Sequence, residues 1–405
     1  MFNWNSRAMV NIGKILEKKP LVAYSAFLFL IPVIGTRPLV PLYSTSLGIG
    51  PGEIGVLVAM FSIVPLFLAL MVGKWIDNND TRGVLIGSIV VASFGIILPF
   101  LLSNRLGMYL SQIVSGSGFT VFILAAQKKA GALGTDSWTR EKSIAVFSMG
   151  VALGSLLGPL FGGFLADFQG YKWAFLILGL SGFLSLFLVI WVPNDKGITE
   201  KNDTVTASRN PLRILSYHRY LGRAVLISSL ILLAKDMYVA YFPLYAYGVG
   251  VSASWIGVII AIHNGGGVIM RFFLLPLVKI FGKNRVVVFS VLFSGMFFLF
   301  IPFIENIFGL ILVSLAIGLS LGLGQPLSIS TTINLSPKNK VGAVLGFRLT
   351  CNRLTQVVTP LTFGGIVMFT GVPVTFFLVG FILMIGCLKL TIPEGVESQK
   401  AHDIK

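Results

Sequence analysis

Six ionisable residues stand inside otherwise apolar stretches: Arg37, Lys235, Asp236, Arg271, Arg348 and Arg353. A charge at hydrocarbon depth is expensive and marks function by default. Asp236 is the acid farthest from any stretch end, whereas Glu53 and Asp167 sit at ends. It lies roughly 20 Å along its helix at 1.5 Å per residue. A carboxyl balanced there between desolvation and a nearby cation suits a group that binds and releases protons. Arg37 is its expected partner, paired in one state and separated in another. Simple neutralisation of the neighbouring Lys235 is the alternative.

Arg348, Asn352 and Gln356 recur at every fourth residue, so on a helix they share one face. Such a stripe cannot face lipid; it packs against protein or lines water. Arg353 projects off that stripe at a similar depth, so one of the two arginines reads as structural. His263 lies two turns from Arg271 and can titrate, although a single His among apolar residues reads first as hydrogen-bonded structure. The sequence Gly318-x-x-x-Gly322-x-Gly324-Gln325-Pro326 predicts a flexible, kinked helix with an amide at its bend.

The elements that must hold these residues follow from composition. Of 405 residues 55% are hydrophobic and 11% charged, against about 25% charged in soluble domains. Apolar stretches of about 20 residues follow one another, the length a bilayer core requires. Twelve spans are predicted: 21–47, 53–73, 84–103, 107–127, 143–166, 173–193, then 222–247, 254–278, 286–303, 307–332, 341–369 and 373–391. The net charge of +16 does not point to nucleic acid, because the basic residues collect in short connections on one side. Only Arg105 and Lys172 fall on the other side. The positive-inside bias therefore places both termini in the cytoplasm. Cys351 and Cys387 lie in apolar runs and imply no disulfide framework. The first apolar run is long and lacks a cleavage site, so it reads as a span and not a signal peptide.

The chain also repeats at an offset of 202 residues. Pro41-Leu42-Tyr43 recurs as Pro243-Leu244-Tyr245, Gly48 as Gly250, Ile54-Gly55-Val56 as Ile256-Gly257-Val258, and Gly162-Gly163 as Gly364-Gly365. Pro159 and Pro360 agree with a one-residue slip. The expected organisation is an N-terminal six-helix half (1–193), a cytoplasmic linker (194–221) and a C-terminal six-helix half (222–405). Parallel halves of this kind are a transporter plan. The offset sets Asp236 opposite position 34, one turn from Arg37.

Two motifs carry a family resemblance. Gly73-x-x-x-Asp77 followed by Arg82, between spans 2 and 3, resembles the loop signature of the major facilitator superfamily; Asn78 and Asp80 stand where that pattern has Arg and Gly. In span 5, Gly154-x-x-x-Gly158-Pro159-x-x-Gly162-Gly163 resembles the antiporter motif of the family's exporters. Small residues four apart allow close helix packing and Pro159 bends the helix, so the motif is expected to form a bent seam between the halves. One departure stands in span 4, where Gln112 replaces the arginine of drug–proton antiporters and Ser115 a glutamine. The resemblance implies two pseudo-symmetric bundles around a central cavity, with spans 1, 4, 7 and 10 surrounding the substrate. It makes Gln112, Tyr238, Tyr241 and Gln325 cavity candidates beside Arg348, Asn352 and Gln356, and Tyr245 an interfacial anchor.

The functional expectation is a secondary active transporter of the drug–proton antiporter branch, exporting amphipathic small molecules through a bacterial plasma membrane. Its partners are a small-molecule substrate, protons and lipid, with no nucleic acid, and a monomer is expected. Five basic residues inside the spans against one acid favour an anionic solute over a cation. An uptake symporter and a non-transporting receptor are the alternatives. No P-loop, Cys/His metal cluster or nucleophile motif is present in the sequence, so no ATP drive, metal, cofactor or enzymatic activity is expected.

Overall fold

The computed structural model describes residues 20–78, 80–132, 137–193, 220–337 and 341–390, with side chains for all of these except 68–78, 137–142 and 341–343. The basic N-terminus, the linker and the C-terminal tail lie outside the described residues, as do the side chain of Asp77 and the surroundings of Gly73. Every regular element among the described residues is a helix, and each predicted span falls on one. Nine described helices are long and apolar enough to cross a bilayer. Pro51–Phe67 and Val372–Cys387 are shorter apolar helices, and Val341–Thr370 carries the polar stripe of span 11. Phe308 and Phe369 are 80% and 85% exposed, an outer surface that hydrocarbon and not water would accept.

Two spans break where the functional candidates lie. Span 1 consists of Leu21–Gly35 and Leu39–Ser46, with Arg37 in the gap before Pro38. Proline has no N–H and disfavours helical geometry in the residue before it, so the Arg37 amide bonds back to Ile34 O at 3.3 Å instead of continuing the ladder. Span 10 consists of Ile307–Leu321 and Gly324–Leu335. Pro326 stands in the first turn of the second helix, where its missing N–H is tolerated, and Gln325 sits at the bend as expected.

The repeat is visible in the turns. Gly48 has φ 73° and Gly250 φ 86°, a left-handed conformation that glycine adopts without steric cost. The accompanying bonds match too, Ile49 N to Ser44 O at 3.0 Å and Val251 N to Ala246 O at 2.9 Å. Gly170 and Gly371, at φ 80° and 82°, end spans 5 and 11 with the one-residue slip already seen between Pro159 and Pro360. Helix starts are capped by side chains: Asp80 accepts from Arg82 N and Gly83 N at 3.3 Å, and Asn306 accepts from Gly309 N at 2.7 Å.

Contacts divide the chain into two units, residues 1–43 with 60–200 and residues 44–59 with 201–405. The division departs from chain order in Ser44–Ala59. Gly52 lets this segment lie on span 11, where a Cβ would stand 2.9 Å from Gly364 O. Backbone proximity of this kind recurs inside each unit. In the first, Gly95 meets Ser115 N and Gly118 meets Ala92 N, so spans 3 and 4 nearly touch. In the second, Gly322 meets Gly267 O and Gly295 meets Gly380 O, joining span 8 to 10 and span 9 to 12.

Candidate functional site

In the first unit the span 5 motif packs on span 1. A Cβ at Gly154 would lie 2.7 Å from Phe27 O, and one at Gly158 2.7 Å from Ile31 O and 2.8 Å from Gly35 N. Gly162 faces Gly35 O. Pro159 and Gly163 are buried beside them. The glycine face of the motif is thus a joint inside the first unit. The spacing of the glycines predicted close packing, but nothing in it named the partner helix.

Arg37 projects from the break in span 1 with its guanidinium carbon 3.9 Å from the centroid of the Phe61 ring, a cation–π contact with span 2. Gln112 is buried in span 4, 4% exposed. Arg82 is half-buried beside the Asp80 cap. Lys129, buried at the end of span 4, donates to Pro193 O at 2.7 Å and so ties spans 4 and 6.

The second unit holds two polar groups. In one, Asp236 on span 7 and Arg353 on span 11 are close enough for their charges to interact. Both are half-buried, and Arg353 Nη1 donates to Gln356 Oε1 at 3.0 Å. Arg353 is therefore not a bystander off the stripe: it bonds Gln356 on its own helix and lies within electrostatic range of the acid. Lys235 is exposed and acts electrostatically on His263.

The other group joins spans 7, 10 and 11. Arg348 Nη2 donates to Gln325 Oε1 at 2.7 Å and Nε to Ser328 Oγ at 3.1 Å. Ser328 Oγ donates onward to Ala224 O at 2.7 Å. Gln325 Nε2 donates to Ser228 O at 3.1 Å, and Ser228 Oγ reaches Asn352 Oδ1 at 2.7 Å and Gln325 Oε1 at 3.2 Å. Arg348, Gln325 and Asn352 thus come together as one cluster. Ser228 and Ser328 were missed in the sequence because a serine within a span bonds its own helix as readily as a neighbour.

The tyrosines stand elsewhere. Tyr238 is wholly buried, donates to Ser314 Oγ at 2.7 Å and stacks on His263 at 4.3 Å between ring centres. His263 Nδ1 lies 3.2 Å from Ser314 O, the hydrogen-bonded role expected of it. Tyr241 is wholly buried as well, and its hydroxyl has no hydrogen-bond partner among the described residues. Tyr245 donates to Ile304 O at 3.1 Å. Arg271 is exposed in the last turn of its helix, where a cation complements the negative end of the dipole. No group of three or more metal-ligating side chains occurs among the described residues.

Known proteins resemble this chain along its whole length. The sequence profile described as Major Facilitator Superfamily matches residues 22–274 and again 224–403. Multidrug resistance protein 2 of Bacillus subtilis is 24% identical, over 96% of both chains. An uncharacterized MFS-type transporter of Methanocaldococcus jannaschii is 21% identical, over 87% of this chain and 92% of its own. Among solved structures, that of the nucleoside transporter NupG superposes with a TM-score of 0.74 at 12% identity, covering 96% of this chain and all of that one, at 100%; at that identity the likeness speaks for the fold alone.

Proposed function

The chain belongs to the major facilitator superfamily, and from that premise we propose that it exports amphipathic small molecules across a bacterial plasma membrane in exchange for protons. It is a multi-pass membrane transporter of small molecules, and its relatives include a protein named for multidrug resistance. The observation that carries proton coupling is the half-buried Asp236 within electrostatic reach of Arg353. Protonating the acid removes the charge that holds the guanidinium and frees Arg353 to reorient. The element that senses the proton is then span 11, which also carries Arg348 and Asn352. Arg37, on the repeat-related span 1, is proposed as the second cation in coupling, because Gln112 carries no charge to fill that part. Both termini are proposed to be cytoplasmic, and the working form a monomer.

Transport into sealed inside-out vesicles with an imposed pH gradient tests this reading. Wild type is expected to accumulate an amphiphile while protons leave the vesicle interior. Asp236→Asn is expected to abolish the dependence on the gradient while leaving exchange of substrate for substrate. Gradient-driven transport by Asp236→Asn with an unchanged pH profile refutes the assignment; accumulation in step with proton entry from the same side means symport.

A further inference from the structure

Arg348 is buried more deeply than the other four cations of the predicted spans, Arg37, Lys235, Arg271 and Arg353. It is 3% exposed, about 10 Å along span 11 from Val341 at 1.5 Å per residue. The side chains it bonds, Ser328 and Gln325, are both neutral. Among the described residues no carboxylate acts on it, whereas Asp236 acts on Arg353. A buried guanidinium without a counter-charge is costly, and more so at hydrocarbon depth. Neutral bracing of three helices needs no charge: a glutamine or a serine would serve.

The hydrogen bonds around Arg348 are polarised in one sense. Gln325 turns its amide nitrogen to Ser228 O and its oxygen to Arg348. Ser328 spends its proton on Ala224 O, which leaves its lone pairs for Arg348 Nε. Asn352 Oδ1 receives the Ser228 hydroxyl, and its amide nitrogen takes part in none of these bonds. The acceptors of the cluster are consumed by the protein itself. Donors are in surplus: a guanidinium carries five N–H groups, of which two are used in these bonds, and the Asn352 amide adds two more. A planar cation with spare parallel N–H donors beside a neutral amide donor matches a pair of anionic oxygens.

We propose that Arg348 and Asn352, oriented by Gln325, Ser228 and Ser328, bind the carboxylate or sulfonate head of an organic anion. The inference rests on the export reading and names the substrate class for it: amphiphiles whose polar end is anionic. Arg348 supplies the charge, Asn352 the lateral donor, and the bound anion supplies the counter-charge. Division of labour follows along span 11, with Arg353 answering to the proton on Asp236 and Arg348 to the solute.

The test uses the purified full chain in phosphatidylcholine nanodiscs and three probes of one shape: 2-naphthoate, methyl 2-naphthoate and the 2-naphthyltrimethylammonium ion, each measured by equilibrium dialysis. Wild type is expected to bind naphthoate saturably and about ten- to a hundredfold more tightly than the ester or the cation, the range for a charge-assisted hydrogen bond. Arg348→Gln is expected to remove that preference and leave ester binding within about twofold, since the ester lacks the charge the arginine reads. Arg348→Lys keeps the charge without the fork and is expected to retain a weaker preference, which guards against a glutamine variant that fails to fold. Equal or tighter binding of the cation by wild type, no saturable naphthoate binding, or an anion preference surviving in Arg348→Gln overturns the proposal. So does phosphatidylglycerol, mixed into the discs, if it displaces naphthoate from wild type, because the site then belongs to a lipid headgroup. Anion preference without gradient-driven flux of any probe would refute proton-coupled export and leave the site standing.

Discussion

The joint between spans 1 and 5 makes a quantitative demand on Gly158. A methyl group added there would lie 2.7 Å from Ile31 O and 2.8 Å from Gly35 N, where non-bonded carbon contacts settle at about 3.5–4.0 Å. The two helices must separate by about 0.7 Å or more. The obstructing atoms are backbone, so no side-chain rotation relieves them, and the reciprocal contact from Gly35 to Gly158 O is 2.6 Å. Overpacking of this kind costs about 1–3 kcal/mol. Alanine returns up to about 1 kcal/mol of helix propensity. Gly158→Ala is therefore expected to lose from about 0 to 3 kcal/mol net and to fall about 1–3 kcal/mol below a glycine-to-alanine change made in open space, and its transport to slow because a parted joint no longer moves as one piece. Gly365→Ala is the control: nothing lies within 4 Å of its added methyl, so only the propensity gain of up to about 1 kcal/mol remains. Equilibrium unfolding of the full chain in mixed micelles with rising dodecyl sulfate, beside vesicle transport, reads both. A Gly158→Ala protein no less stable than Gly365→Ala refutes the close-contact argument and leaves at most a generic glycine effect.

The same unfolding assay separates two neighbouring tyrosines. Tyr238→Phe removes the bond to Ser314 Oγ and is expected to cost about 1 kcal/mol, whereas Tyr241→Phe removes a buried hydroxyl without a partner and is expected to be neutral or stabilising; a loss at Tyr241 as large as at Tyr238 contradicts this. For the charged pair, Arg353→Gln alone is expected to destabilise more than Arg353→Gln combined with Asp236→Asn. The coupling energy should be about 0.5–3 kcal/mol by double-mutant cycle, and strict additivity would show the two charges to be independent.

Most of the architecture was legible because it rests on one-dimensional signals. Span length and the absence of charge follow from the bilayer, and the repeat that pairs Gly48 with Gly250 is matched in the structure by positive φ at both. The bend of span 10 was legible for the same reason, since Pro326 acts on its own chain. What was not legible is which helix each residue faces. The antiporter-like glycines announce a close neighbour, yet span 1 was the neighbour, because any backbone satisfies a small-residue face.

The arginines make the point more sharply. Periodicity grouped Arg348, Asn352 and Gln356 and set Arg353 aside, and at the level of one helix that grouping is correct. The neighbouring helices then redistribute the partners. A guanidinium has long reach, so Arg353 collects Gln356 from its own helix and lies within electrostatic range of Asp236 on span 7. Arg348 instead finds Gln325 because the break at Gly322–Leu323 offers span 10's amide at the depth where Ser228 can orient it. Two arginines five residues apart on one helix thus face different chemistry, one an acid and one only neutral groups. Helical spacing contains no term for that difference; it arises where a kinked helix delivers an amide to one arginine and an unbroken span 7 delivers a carboxylate to the other.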